Sequence, residues 1–174
     1  MNIQADKKTI ENTLLVYRQK LDEIPDDLFN TTPPGGGWSY GEVYSHIMQA
    51  TLASFMAVDK CSNGTGKTIT KPAGWLARFI LFLGVFPGIR FKAPASIAGM
   101  TTNISKEEAR NLIIKVKKRL DEIVPPVAAS SQYCKIKHPR FGMLNARQWL
   151  RFIGIHLGHH IKQLNRISKK FAKG

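Results

Sequence analysis

Apolar residues recur every three or four positions over four long windows, the spacing that lines one face of an α-helix. In the first window Ile10, Leu14, Tyr17, Leu21 and Ile24 form the stripe, and Pro25 stops a helix predicted over 6–23. In the second, predicted over 39–60, Val43, His46, Ile47, Ala50, Ser54 and Ala57 share a face. Leu52, Phe55 and Met56 add another, so this helix is expected to be covered on two sides. Ala109, Ile113, Val116, Leu120 and Ile123 mark a third helix over 105–124, with Pro125 and Pro126 as its stop. The fourth covers 145–170. At about 100° per residue, Trp149, Ile153, His156, His160, Leu164 and Ile167 fall in one narrow sector, opposite Arg147, Arg151, Lys162, Asn165 and Lys169.

Polar start signals agree with these windows. Ser39 with Glu42, Ser105 with Glu108, and Asn145 with Gln148 each have the spacing of a capping box, in which two side chains satisfy free backbone N–H groups. The segment Thr31 to Gly37 reads as a loop, and Ser62 to Gly66 ends the second helix. Ala73 to Phe86, bounded by Pro72 and Pro87, predicts a short inserted apolar helix, mostly buried against the second helix or a second subunit. Gly88 to Thr102 reads as irregular, and a small hairpin around Tyr133 to Ile136 is open. With little or no sheet otherwise, the pattern predicts an all-α fold: one four-helix-bundle domain over residues 1–174, with long crossover connections.

Two of the inward positions on the fourth stripe are imidazoles, and that changes the picture. A histidine is a poor core filler because each ring nitrogen wants a partner. His156 and His160 stand one turn apart on the same face, and His46 lies on the inner face of the second helix. Three neutral imidazoles suit a borderline divalent ion, zinc or nickel, and leave a fourth position open for water or a thiol. Spacing alone leaves a buried histidine satisfied by a backbone carbonyl as an equal reading. Glu42, one turn before His46, and Gln163, one turn after His160, are the candidate hydrogen-bond partners behind the ligands. His159, at the edge of the stripe, reads as a flanking residue.

The residues also carry a resemblance. Trp38-Ser39-Tyr40-Gly41-Glu42-Val43, followed by His46-Ile47, resembles the Trp-Ser…Glu-Val…His-Leu signature of the DinB-like (YfiT-like) superfamily. His156-x-x-x-His160-x-x-Gln163 resembles its C-terminal signature, and His138-Pro139, Phe141-Gly142 and Leu144 resemble the approach to the last helix in one branch. The resemblance spans about Asp6 to Ile167. It implies a down-up-up-down four-helix bundle, metal ligation by His46, His156 and His160, and often a homodimer. Some relatives are thiol-dependent S-transferases, so it also implies a small-molecule substrate. The apolar insert and the charge depart from simpler members.

Bulk properties narrow the alternatives. The chain has 174 residues, 43% hydrophobic and 22% charged, with a net charge of +14. That charge favours anionic company, but the basic residues are scattered over helix faces and not interleaved with aromatics, which disfavours nucleic acid. A membrane surface stays open but is not favoured: the insert is flanked by Lys71, Arg78, Arg90 and Lys92. Gly64-Thr65-Gly66-Lys67-Thr68 ends like a phosphate-binding loop, yet Cys61 stands where the first glycine belongs. Cys61 and Cys134 form no Cys-x-x-Cys pair, and no apolar leader is present, so a cytoplasmic setting is expected. Two readings remain. One is a metal-dependent transferase or hydrolase with its catalytic group at the open metal position. The other is a non-enzymatic basic binding module acting at a membrane surface or on nucleic acid.

Overall fold

Asn2 starts the first helix before its apolar stripe begins, because its side chain accepts the N–H of Ala5 and satisfies one free donor. The structure, a computed structural model, describes residues 1–86 and 101–173. Among the described residues, six helices and three short strands follow in the order α1 (Ile3–Glu23), α2 (Asp26–Phe29), α3 (Tyr40–Ser62), β1 (Lys67–Thr68), α4 (Trp75–Leu83), α5 (Lys106–Val127), β2 (Cys134–His138), β3 (Gly142–Asn145) and α6 (Ala146–Phe171). The three expected capping boxes open α3, α5 and α6, each with both reciprocal hydrogen bonds. None of the described helices is long and apolar enough to cross a membrane.

Side-chain contacts between helices give their directions. Lys106 at the start of α5 reaches the Ile24 carbonyl and Asp26, just past the end of α1, while Lys7 near the start of α1 pairs with Asp121 near the end of α5. Those helices are therefore antiparallel. Ser39 bonds Asn103 where α3 and α5 begin, and Asp59 pairs with Arg119 further along both, so these two run parallel. Tyr40 at the start of α3 stacks on Phe171 at the end of α6, and Cys61 near the end of α3 reaches the Leu144 carbonyl just before α6, which sets α3 and α6 antiparallel. Asp6 with Arg151, then Tyr17 with the Leu157 carbonyl, makes α1 and α6 parallel. The result is a down-up-up-down bundle in which α1 and α3 each pack on both α5 and α6. Its core holds Ile10, Tyr17, Tyr44, Ile47, Phe55, Leu120 and Leu157.

Five expectations are extended or corrected. A three-stranded antiparallel sheet, ordered β1-β2-β3, covers one end of the bundle, with Thr68 opposite Cys134 and Ile136 opposite Leu144. It was hard to foresee because β1 is two residues long and the β2–β3 turn is closed by a side chain, His138. Helix α5 runs through Pro125 and Pro126 to Val127. The prolines remove two late N–H donors, but Val124 and Val127 are buried and keep the last turn helical. On α3, Phe55 is buried and Leu52 half-buried, but Met56 is exposed. The apolar insert does form a helix, α4, but it packs against α6, and only Ala77, Ile80 and Leu81 are buried on it. Arg151, expected on the outer face of α6, instead caps α4 through the Leu81 carbonyl at 2.6 Å and pairs with buried Asp6.

Gly66 is needed where β1 crosses β2, since a Cβ there would lie 2.8 Å from the Cys134 sulfur and 2.9 Å from the Lys135 carbonyl. The phosphate-loop likeness dissolves at the same place. Lys67 and Thr68 are themselves a strand, and α3, not a strand, precedes the glycines. Positions 88–100 of the stretch read as irregular lie outside the described residues, as do Arg90 and Lys92; Thr101 to Ser105 carry no regular structure.

Candidate metal centre

Helices α3 and α6 meet along an antiparallel seam, and each brings imidazoles to it. On α3, buried Val43 and Ile47 fix the rotation that turns His46 inward. On α6, buried Ile153, Leu157 and Leu164 do the same for His156 and His160. The ring centroids lie 5.0 Å apart for His46 and His160, 4.8 Å for His156 and His160, and 5.9 Å for His46 and His156. One nitrogen from each ring lies within 4.8 Å of the others, and the Nε2 atoms of His156 and His160 are 3.1 Å apart. Imidazole nitrogens sharing a tetrahedral zinc at about 2.0–2.1 Å stand about 3.4 Å apart, so the donor set has the right size.

The proton positions follow from the partners. His160 Nδ1 lies 2.7 Å from the Gln163 side-chain oxygen, which only accepts, so the ring donates there and carries its lone pair on Nε2. That lone pair faces His156 Nε2. In the metal-free chain His156 must offer an N–H at this point; with a cation between them both nitrogens offer lone pairs. Burial pushes the pKa of His156 down to about 3, with His46, His159 and His138 adding to the shift. Burial lowers His46 and depresses His160 well below the usual imidazole range. All three rings are therefore neutral at pH 7, the form that ligates metal.

Glu42 does not back His46. Its carboxylate is taken up by the Ser39 N–H at 2.8 Å, completing the helix start. Gln163 is placed where the sequence put it, on His160. His159 stands outside the trio, its ring 5.2 Å from His160 and 5.1 Å from Phe86. The sequence reading missed an aromatic collar. Trp38 lies 5.1 Å from His46, Phe152 stacks on His156 at 5.3 Å, and Phe86 sits 6.2 Å from His156. Phe152 was open to inference, since Phe152, His156 and His160 follow at i, i+4 and i+8. Phe86 was not, because nothing local says that the insert ends over the seam.

Residues 10–164 match the sequence profile of the DinB superfamily. The chain belongs to that superfamily. It is similar to the uncharacterized protein YuaE of Bacillus subtilis (strain 168), 23% identical over 155 residues that cover 88% of this chain and 91% of YuaE. Among solved structures it resembles YfiT from Bacillus subtilis, described as a probable metal-dependent hydrolase with an unusual four-helix bundle topology. The TM-score is 0.63 at 12% identity, over 98% of this chain and 87% of YfiT. It also resembles TT2238, a four-helix bundle protein, with TM-score 0.62 and 19% identity, over 95% of this chain and 99% of that one. A mycothiol-dependent maleylpyruvate isomerase matches with TM-score 0.62 at 14% identity, over 99% of this chain and 67% of its own. At these identities the likenesses establish the DinB-like fold and nothing about substrate.

Proposed function

We propose that this DinB-superfamily chain is a metal-dependent enzyme in which His46, His156 and His160 hold one divalent ion, zinc or nickel. Its reaction is the addition of a small thiol, or of water, to an electrophilic substrate. The observation that carries the reading is the convergence of three neutral imidazole nitrogens within 4.8 Å on a seam between two helices. The descriptions of YfiT as a probable metal-dependent hydrolase and of the isomerase as mycothiol-dependent support the two nucleophiles named.

When bound, the ion supplies a Lewis acid that stabilises an anionic nucleophile near neutral pH. The chain does the rest. Three neutral ligands leave the full positive charge of the ion in place. Gln163 holds His160 in the tautomer that exposes Nε2. Trp38, Phe86 and Phe152 wall the half-buried site with apolar rings and narrow the access of water to it. The Cys61 thiol is no rival nucleophile: it is buried and burial pushes its pKa up to about 12.

Metal analysis of protein purified without an affinity tag or chelator tests the reading. The expected result is about one zinc or nickel per chain, lost in His160→Ala while helical circular dichroism persists. Thiol-addition and ester-hydrolysis screens should lose activity in the same variant. Wild-type preparations that repeatedly carry no metal, or a metal-free variant with full activity, would overturn it.

A further inference from the structure

A helix that is apolar all round needs cover all round; α4 has it on one side. Trp75 is 79% exposed and Phe82 83%, and Phe79, Leu83 and Val85 are also exposed. At about 100° per residue Trp75, Phe79 and Phe82 fall within about 60° of arc, with Arg78 at its edge. Arg78 is exposed and forms no ion pair among the described residues.

Beside the start of α4 lies a cleft of about 250 Å³ lined by Arg78, Lys135, Gln132, Tyr133, Asn145 and Gln148. Lys135 is only 5% exposed. Its ammonium donates to the Lys71 carbonyl and pairs with no carboxylate among the described residues. An ammonium has three donors, and a buried cation without a counter-charge is costly. The cleft therefore suits an anion, and the helix beside it suits an apolar phase.

One occupant offers both. We propose that α4 is a docking surface for an anionic phospholipid bilayer, with Trp75, Phe79 and Phe82 in the interface and a headgroup phosphate between Arg78 and Lys135. Exposed tryptophan and phenylalanine beside cations is the make-up of interfacial helices. The net charge of +14 attracts an anionic bilayer and opposes the face pairing with a second copy. Phe86, just beyond α4, lies against His156 and His159, so the docking helix adjoins the histidine seam. The proposal does not depend on metal at the seam.

Vesicle flotation of the full chain tests it. Wild type should float with phosphatidylcholine vesicles containing about 30% phosphatidylglycerol and not with phosphatidylcholine alone. Trp75→Ser combined with Phe82→Ser keeps the net charge and alters only exposed positions, so helical content should stay and the bound-to-free ratio should fall about tenfold or more. Arg78→Glu should lower it about tenfold and Lys135→Met about fivefold. Tryptophan emission should shift to the blue on vesicle addition, and Trp75→Phe should remove that shift. Flotation of the double aromatic variant at the wild-type level would mean that charge alone binds lipid, and would overturn the proposal. So would a sedimentation dimer that the same double variant splits, because the face would then belong to a second copy.

Discussion

His138 and His160 are buried and His46 and His156 half-buried, but different groups take the lone pairs of His138 and of the trio. His138 is enclosed by Phe141, Trp149 and Phe152 at centroid distances of 4.6, 5.0 and 4.5 Å. Its Nδ1 accepts the backbone N–H groups of Arg140 and Phe141, both at 3.1 Å, and so closes the β2–β3 turn ahead of Gly142, whose φ is +74°. In the trio no backbone donor among the described residues comes to the ring nitrogens; His156 and His160 face each other, and Gln163 takes the far side of His160. Burial lowers the pKa in both places, to about 4 for His138 and about 3 for His156. Low pKa and burial therefore do not separate a structural imidazole from one free to bind a cation. The destination of the lone pair does.

The largest effect that would break this comparison is on metal. With a metal at the trio, His160→Ala or His46→Ala should lower affinity by about a thousandfold or more, because a three-ligand site becomes a two-ligand one. His138→Ala should leave metal content at the wild-type level. Competition against a chromogenic chelator reads both. Equal metal loss in the His138 variant would erase the distinction.

Stability should respond in reverse. His138→Ala leaves two backbone N–H groups without an acceptor and a void among three aromatic rings, so about 3 kcal/mol of destabilisation is expected in urea unfolding. The difference from wild type should also depend on pH. The folded pKa of His138 is about 4, below the ordinary value of 6.5. An unfolded chain then binds a proton that the folded one refuses, so stability falls as pH drops from about 6.5 to 4 and levels off below. This term amounts to roughly 3 kcal/mol at most. The gap between wild type and His138→Ala should narrow over that window and be widest near pH 7. A gap that grows on acidification would contradict the neutral, doubly accepting imidazole.

How legible were these two sites beforehand? The bundle was legible because its stripes are long and its helix starts carry reciprocal caps at Ser39, Ser105 and Asn145. His156 and His160 were legible for the same reason: helical phase puts them among Ile153, Leu157 and Leu164. The role of His138 was not, since it depends on a five-residue turn whose hydrogen bonds run to backbone N–H groups that every sequence has. The exposure of α4 was hidden by composition. A run from Trp75 to Phe86 with one arginine looks buried, and only tertiary packing shows that α6 covers one side. Arg151 was misplaced because helical phase cannot know that α4 arrives over that face and needs its carbonyl capped.

A smaller effect sharpens the trio itself. Gln163→Leu keeps the shape but removes the acceptor that holds the His160 tautomer. Metal affinity should fall about 10–100-fold, the usual consequence of losing a ligand's hydrogen-bond partner. Gln163→Glu keeps an acceptor and should retain or raise affinity. If leucine binds metal as wild type does, His160 finds its orientation from packing alone.

The smallest effect concerns Glu42, the residue that sequence spacing set beside His46 and the structure sets on Ser39. Its oxygen accepts the Ser39 N–H at 2.8 Å while the Ser39 hydroxyl accepts the Glu42 N–H at 3.2 Å. Glu42→Ala removes half of this capping box and should cost about 0.5–1 kcal/mol of stability. Metal affinity should change by less than about twofold, because a cap one turn away moves His46 only if α3 frays and buried Val43 and Ile47 resist that. Glu42→Gln, which can still accept, should be near wild type in both measurements. The pair of readouts makes the test sharp: a stability loss without a metal loss assigns Glu42 to the helix start. A tenfold drop in affinity for Glu42→Ala, absent in Glu42→Gln, would instead give His46 a hydrogen-bonded support like the one Gln163 gives His160, and the trio would owe both of its helices an outer partner.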